Sequence, residues 1–223
     1  DYIQKPATFL SSGHPANYFK LIENCESNIE HTIEIYTDGS KTNNKVGCAF
    51  IVLQQSTELY HKRIKLSSNC SVFQAELLAI KESLNWIVCH QTSAMILTDS
   101  KAALSVIKDK YSLNQLSVDI RLLLGQIKTH ICFKWIKGHS GIAGNEIVDQ
   151  LAKSSAESHI TISYREVPLS YLKKFFMEKS LDLWQSEWES SKNGRFTYKL
   201  FISNIKQRME YKHRFTNFYT TQF

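Results

Sequence analysis

The chain has 223 residues, of which 43% are hydrophobic, and its formal net charge is +6. This length is sufficient for one well-packed domain of about 130 to 150 residues with an appendage, and a transmembrane helix is excluded because no run of about 18 apolar residues occurs. The charge is uneven: residues 1–191 contain 20 basic and 20 acidic side chains, whereas residues 192–223 contain seven basic side chains and one acidic. The basic excess therefore lies entirely in the tail.

The N-terminal 30 residues show no clear hydrophobic periodicity and contain Pro6, Gly13 and Pro15, a composition typical of a linker from an upstream domain. The chain begins with neither Met nor a signal-peptide pattern, so we expect it to be a piece of a longer polypeptide. Its five cysteines include no Cys-x-x-Cys pair. This favours reduced, buried thiols in an intracellular protein, located in the nucleus and/or the cytoplasm.

Three strands are predicted first. Apolar and polar residues alternate over residues 33–37, just before Asp38, and Gly39 and Ser40 then favour a turn. Residues 46–53 form a nearly continuous apolar run, and residues 59–66 alternate again. Short connections such as residues 41–44 predict an antiparallel meander.

A helix follows, since Phe73, Leu77, Ile80, Leu84 and Ile87 recur at steps of three and four. Glu76 falls on the same face as these apolar residues, where a helix usually places a leucine. We therefore expect a carboxylate on the buried side of this helix.

Strands and helices alternate in the next segment. An apolar strand over residues 94–98 ends at Asp99, helices are predicted over residues 101–109 and 113–127, and a fifth strand over residues 131–136. A glycine-rich loop then holds His139, and Asn145 is predicted to cap the helix that carries Asp149. The pattern predicts an α/β domain with a mixed five-stranded sheet flanked by helices.

This topology brings four carboxylates together, those of Asp38, Glu76, Asp99 and Asp149. Each motif alone has an ordinary explanation, such as a turn, a solvated helix flank, a helix cap or a helix-dipole partner. Together, buried carboxylates cost several kcal/mol unless a cation offsets them, and Mg2+ suits an all-oxygen site. The set indicates metal-dependent phosphoryl transfer.

The four acidic motifs, in this order and with residues 135–140 (Trp-Ile-Lys-Gly-His-Ser) before the last, resemble the ribonuclease H type I family over roughly residues 32–156. Residues 71–77 and 138–146 are most similar to the ribonuclease H domain of non-LTR retrotransposon polyproteins. The resemblance implies a ribonuclease H-like fold and two Mg2+ ions, with Mn2+ as a substitute. Asp38 would touch both ions, Glu76 and Asp99 one, and Asp149 the other; cleavage would leave a 5′-phosphate and a 3′-hydroxyl.

His139 lies ten residues before Asp149, as the family motif requires, and Gly138 and Gly141 flank it. A loop histidine is more often merely exposed, but an imidazole here can pass a proton to the leaving group. Contacts that distinguish RNA from DNA through 2′-hydroxyls are predicted beside the acidic residues, at Gly39, Ser40, Ser71, Gln74 and Ser100. The 40-residue stretch between Asp99 and His139 shows no extra basic, Trp-containing helix of the kind many cellular relatives use to grip the DNA strand, so we expect weak hybrid binding by this domain alone.

The family pattern ends near residue 158, so we predict three parts: a linker over 1–30, a catalytic domain over 31–158 and a helical extension over 159–223. A helix should open at residues 168–170 and close near residues 193–194, with Trp184 and Trp188 in a core, and a basic helix should run over residues 198–214. Nucleic-acid contacts are predicted in this extension at Arg195, Lys199, Lys206 and Arg208. The alternative is that its aromatic side chains pack and its cations form a solvated rim.

Three functions follow from these residues. The first is an endonuclease that removes RNA from RNA/DNA hybrids, with an upstream reverse transcriptase in the same polyprotein. The second is a DNA-processing, integrase-like enzyme of the same fold, which His139 and the context of Glu76 argue against. The third is a catalytically silent docking domain, which the complete carboxylate set argues against.

Overall fold

The computed structural model describes residues 33–200 and 204–210. Within them the strands are β1 Ile33–Thr42, β2 Lys45–Gln54, β3 Thr57–Leu66, β4 Ala94–Thr98, β5 Ile131–Trp135 and β6 Ile162–Tyr164. The helices are α1 Val72–His90, α2 Lys101–Lys108, α3 Gln115–Gln126, α4 Ala143–Glu157, α5 Leu169–Ser190, α6 Arg195–Leu200 and α7 Ile205–Glu210. None of these helices has the length and apolar character required to cross a membrane.

The strands form one mixed sheet in the order β5-β4-β1-β2-β3-β6. Strands β1, β2 and β3 are an antiparallel meander, and β4 and β5 run parallel to β1. The first connection turns at Asn43 and Asn44, whose φ angles of 50° and 60° are left-handed, a conformation that asparagine tolerates well. The predicted α/β fold class is confirmed.

Two details of the sheet differ from the prediction. The turn expected at Gly39 and Ser40 is wrong, because β1 continues to Thr42 and these two residues pair with Cys48 and Gly47 of β2. The sheet also gains a sixth strand, since β6 pairs with the end of β3. This short strand follows residue 158, and the first of the two units into which the chain divides ends at Pro168.

Helices cover both faces of the sheet. Helices α1, α2 and α3 pack on one face around residues such as Ile35, Phe50 and Ile80, and α4 packs on the other around Ile51 and Val148. Strand β2 is buried on both faces, which explains its nearly unbroken apolar run.

The helix ends show which capping predictions hold. Helix α1 starts at Ser71, whose hydroxyl accepts a hydrogen bond from the Gln74 amide at 3.1 Å while the Gln74 side chain returns to the Ser71 amide at 3.0 Å, a capping box. Helix α4 instead begins after Ile142, without a side-chain cap. The cap predicted at Asn145 is wrong, because Asn145 is buried inside the first turn.

Two predictions about the second unit, which starts at Leu169, are wrong. No residue of α5 is buried and Trp184 is 50% exposed, so it lies in no core; Trp188 is half-buried. A continuous helix over residues 198–214 does not form, because Asn204 is not helical and its side chain accepts a hydrogen bond from the Gln207 amide at 3.1 Å, capping α7. Residues 211–214 lie outside the described part.

The cysteines behave differently from one another. Cys48 and Cys70 are buried free thiols and Cys89 is an exposed one, as the reduced state predicts. Cys132 is disulfide-bonded, so the prediction is wrong for that residue. Burial raises the pKa of Cys70 to about 11, which makes that thiol unreactive near neutral pH.

Candidate active site

Two of the four predicted carboxylates come from neighbouring strands. Strands β1 and β4 are parallel partners, and Thr37 pairs with Thr98. Asp38 and Asp99 each follow the paired threonine, and paired strands lie about 4.8 Å apart. The hydrogen-bond register of the sheet therefore places these two residues side by side.

Glu76 reaches the same region because α1 lies directly against β1. A Cβ atom at Gly39 would lie 2.5 Å from the Glu76 backbone nitrogen, so only glycine permits this approach. The Glu76 carboxylate accepts a hydrogen bond from the Ser100 hydroxyl. The pKa of Glu76 is raised, mainly by burial. The hydrogen bond from Ser100 lowers this pKa, and the charge of Asp99 raises it.

The fourth carboxylate, Asp149, is supplied by α4 from the other face of the sheet. This helix sits close to β1, since a Cβ atom at Gly144 would lie 2.5 Å from the Tyr36 ring. The Asp149 carboxylate accepts a hydrogen bond from Lys153 Nζ at 2.6 Å, one helical turn later. This contact raises the pKa of Lys153.

The four carboxylates influence one another electrostatically at Asp38. The pKa of Asp38 is raised from 3.8 to about 7. Burial is the largest cause, the charges of Asp99, Asp149 and Glu76 add to it, and the hydrogen bond from the Gly39 backbone N–H opposes it. A carboxyl group that is half protonated near neutral pH is typical of a functional site. The structure thus brings the four predicted acidic residues together.

The chemistry of this donor set fits a hard divalent cation such as Mg2+ or Mn2+, because the donors are carboxylate oxygens whose repulsion a cation would relieve. Within residues 33–200 and 204–210, however, no group of three or more His, Cys, Asp or Glu side chains is arranged as a preassembled metal site. For these side chains to share an ion they would have to adjust, and Lys153 would have to release Asp149.

His139 lies on an exposed loop beside Asp99. Its φ angle is 52° and that of Gly141 is 77°, so the loop turns sharply at both residues. A Cβ atom at Gly138 would lie 2.7 Å from Asp99 Oδ2. The loop thus passes against one carboxylate, and the next side chain along the chain is the exposed imidazole of His139.

The predicted nucleic-acid contacts near the site have structural partners. Gln74 is 1% exposed, and its side chain donates to the Glu166 carbonyl at 3.0 Å. Ser100 is 7% exposed and also caps α2 through the Ala103 amide at 3.1 Å. Gly39 and Ser40 are buried in β1, and Ser71 is half-buried at the start of α1.

In the second unit, Arg195 donates to the carbonyls of Trp188, Glu189 and Ser191 at 3.1, 2.9 and 2.9 Å, which closes the end of α5. Its guanidinium also lies 4.0 Å from the Tyr198 ring centroid. Lys206 pairs with Asp182 at 2.8 Å, whereas Lys199 is exposed. The side chain of Arg208 lies outside the described part.

The prediction missed three residues around the site. Lys153 follows Asp149 by four positions, and this spacing in the sequence signals a helical ion pair. Trp135 donates its indole N–H to the Asp99 carbonyl at 3.0 Å, and Lys101 Nζ lies 4.1 Å from the Trp135 ring centroid. No local pattern indicates these two contacts, because they join residues 34 to 36 positions apart.

The fold and the site define a class: an α/β protein with four clustered carboxylates on a mixed sheet and a histidine loop beside them. A model of the RNase H family matches residues 30–157, and the chain belongs to that family.

Named relatives agree with this assignment. The chain is 29% identical over 147 residues to a ribonuclease H of Pseudoalteromonas translucida (strain TAC 125), and 29% identical over 148 residues to a ribonuclease HI of Pasteurella multocida (strain Pm70). Each alignment covers 58% of this chain and 93% of the relative.

Solved structures are also similar. The crystal structure of RNase H1 from the halophilic archaeon Halobacterium salinarum NRC-1 is 16% identical, with a TM-score of 0.48, and the match covers 56% of this chain and 98% of that one. The N-terminal RNase H domain of a Mycobacterium tuberculosis protein is 23% identical, with a TM-score of 0.48, and the match covers 57% of this chain and 94% of that one.

Proposed function

We propose that this chain is a Mg2+-dependent endonuclease that hydrolyses the RNA strand of RNA/DNA hybrids and leaves 5′-phosphate and 3′-hydroxyl ends. The observation that carries the proposal is the cluster of Asp38, Glu76, Asp99 and Asp149, in which burial and then the repulsion between the carboxylates raise the pKa of Asp38 to about 7. Membership of the RNase H family and 93% coverage of relatives named ribonuclease H support it.

The four carboxylates would hold two divalent cations, with Asp38 shared by both, Glu76 and Asp99 on one and Asp149 on the other. When bound, such cations would supply the activation of a water molecule and the stabilisation of the leaving oxygen in an in-line displacement. Asp38 must first lose its proton, and the Ser100 hydroxyl orients Glu76 through its hydrogen bond. His139, exposed beside the site, delivers a proton to the 3′-oxygen that leaves.

Recognition of the RNA strand would use 2′-hydroxyl groups in the shallow minor groove of the hybrid. Gly39 and Ser40 lie next to Asp38 in β1, Ser100 follows Asp99, and Ser71 begins the helix of Glu76. In the second unit, Lys199 is exposed, whereas Arg195 and Lys206 would have to exchange their internal partners for phosphate. These positions are proposed contacts because each lies beside an acidic residue, at the start of the helix that carries Glu76, or in the basic tail.

The proposal includes a biological setting, a retrotransposon polyprotein with an upstream reverse transcriptase, acting inside the cell in the nucleus and/or the cytoplasm. The similarity of residues 71–77 and 138–146 to such polyproteins supports this setting. The full reading frame that contains this chain tests it, since a reverse transcriptase domain should precede residue 1.

The enzymatic test is direct. The full chain is incubated with labelled RNA/DNA hybrid, duplex DNA and duplex RNA, with and without Mg2+. Cleavage of the RNA strand of the hybrid alone, dependent on Mg2+ and lost in Asp38→Asn, is the expected result. Joining or cutting of duplex DNA would favour the integrase-like alternative, and Mg2+-independent cleavage would refute the two-cation assignment.

One observation favours a second candidate, the catalytically silent docking domain. Asp149 is already paired with Lys153, and within the described residues no three ligands form a preassembled metal site. Titration calorimetry with Mg2+ separates the two candidates. A silent domain would bind no Mg2+ at millimolar concentration and would cleave none of the three substrates.

A further inference from the structure

A lysine and a tryptophan form an exposed pair beside Asp99. Lys101 is the first residue of α2 and Trp135 is the last residue of β5. Lys101 Nζ lies 4.1 Å from the Trp135 ring centroid, and the ring is 42% exposed. Such a cation–π contact contributes about 0.5 to 1 kcal/mol at an exposed position, which restrains a side chain that is otherwise flexible.

The tryptophan is itself held against the site. Its indole N–H donates to the Asp99 carbonyl at 3.0 Å, and Trp135 is in register with Thr98, the residue before Asp99. Because Lys101 follows Asp99 by two positions, their Cα atoms are at most about 7 Å apart. The ammonium group is therefore attached to the same short segment as an active-site carboxylate.

Within residues 33–200 and 204–210, Lys101 forms no ion pair with an acidic side chain, whereas Lys62, Lys81 and Lys153 each form one. Lys134 and Lys137, on either side of Trp135 in sequence, are exposed and also without an ion pair in that part of the chain. An unpaired cation next to an acidic cluster suits a ligand that is itself anionic.

We propose that Lys101, positioned by the Trp135 ring, binds a backbone phosphate of the nucleic-acid strand one or two nucleotides from the phosphate that is cleaved beside the four carboxylates. Charges along one strand are spaced by about 3.4 Å along the helix axis, so a Cα separation of at most about 7 Å between Lys101 and Asp99 corresponds to one or two nucleotides. The inference rests on the proposed function, and it specifies one contact by which this chain aligns its substrate. It concerns binding and alignment, since Lys101 takes no part in proton transfer.

The chain offers a matched control in Lys108, at the last position of α2. Lys108 is exposed like Lys101 and lies about 10 Å further along the helix axis. Lys101→Gln and Lys108→Gln therefore remove the same charge from the same helix, but only one of them removes the ammonium group that lies over Trp135.

The experiment measures hybrid binding separately from cleavage. In the full chain carrying Asp38→Asn, the affinity for a fluorescent RNA/DNA hybrid is determined by anisotropy over a range of KCl concentrations. We expect Lys101→Gln to weaken binding roughly fivefold to tenfold and to reduce the slope of log K against log [KCl] by about 0.7 to 0.9, the value for one phosphate. Lys108→Gln should leave both quantities close to those of the parent.

A third variant tests the role of the ring. Trp135→Leu removes the ring on which Lys101 rests, so it should weaken hybrid binding. The double variant that combines Lys101→Gln with Trp135→Leu should bind no more weakly than Lys101→Gln alone, because the two side chains act as a unit. Equal slopes for Lys101→Gln and Lys108→Gln would overturn the proposal, as would strictly additive losses in the double variant.

The outcome also separates this inference from the proposed function. If the intact chain cleaves hybrid while the slope is unaffected by Lys101→Gln, the phosphate contact is refuted and the enzyme remains. If the intact chain cleaves no substrate but Lys101→Gln still reduces the slope, the contact holds for a domain that binds nucleic acid without cutting it.

Discussion

The raised pKa of Asp38 makes a quantitative prediction about folding. Burial and three neighbouring carboxylates raise this pKa from 3.8 to about 7 in the metal-free protein. The folded state therefore binds the proton more tightly than the unfolded chain, and ionised Asp38 destabilises the fold. This cost is small below about pH 4, increases as the pH rises and levels off above about pH 7.

The size of the effect follows from the two pKa values. A difference of about three pH units, at about 1.4 kcal/mol each, gives an upper value of about 4 kcal/mol. Asp38→Asn removes the charge with little change in volume. We therefore expect this variant to raise the free energy of unfolding by about 2 to 4 kcal/mol at pH 8 and by less than about 1 kcal/mol at pH 4.

The free energy of unfolding is measured in urea in the presence of a chelator. Hydrogen exchange of the β1 amides serves as the readout, so that the measurement reports on the unit that contains Asp38. Glu157→Gln, at an exposed position at the end of α4, is the control and should change the stability by no more than about 0.5 kcal/mol at any pH. A stability difference between Asp38→Asn and the parent that stays constant from pH 4 to pH 8 would refute the raised pKa. Saturating Mg2+ should reduce the stability difference between Asp38→Asn and the parent, because the cation stabilises the parent, which keeps the Asp38 carboxylate as a ligand, more than the variant.

Three further predictions concern catalysis and binding. His139→Ala should slow hybrid cleavage roughly 10- to 1000-fold without changing the Mg2+ affinity measured by calorimetry; a loss of that affinity would contradict the proton-delivery role. Lys153→Gln should tighten Mg2+ binding severalfold, because it frees the Asp149 carboxylate and removes a competing cation, and weaker binding in the same calorimeter would count against this. Deletion of residues 192–223 should reduce the slope of log K against log [salt] for hybrid binding by about 0.7 to 0.9 per lost phosphate contact. The single-turnover cleavage rate at saturating hybrid should stay near that of the intact chain. An unchanged slope would mean that the tail cations face solvent or a protein.

Most of the fold could be predicted because each element has a strong local pattern. The periodicity of residues 73–87 corresponds to α1, and the apolar run of residues 46–53 corresponds to β2, which is covered on both faces. The errors occur where long-range pairing overrides local preference. Gly39 and Ser40 resemble a turn but extend β1, since β2 supplies their partners, and three residues after position 161 become a strand only because the end of β3 is free to pair.

The sequence by itself determined which carboxylates belong together, because Asp38, Glu76, Asp99 and Asp149 occur in family order on elements whose type their neighbours reveal. It also determined the position of the histidine loop. Only the tertiary structure decided how these groups interact. The pKa of Asp38, the hydrogen bond from Ser100 to Glu76 and the pair of Lys101 with Trp135 depend on burial and on distances between residues remote in sequence, and such distances are set by packing of the whole chain rather than by any local pattern.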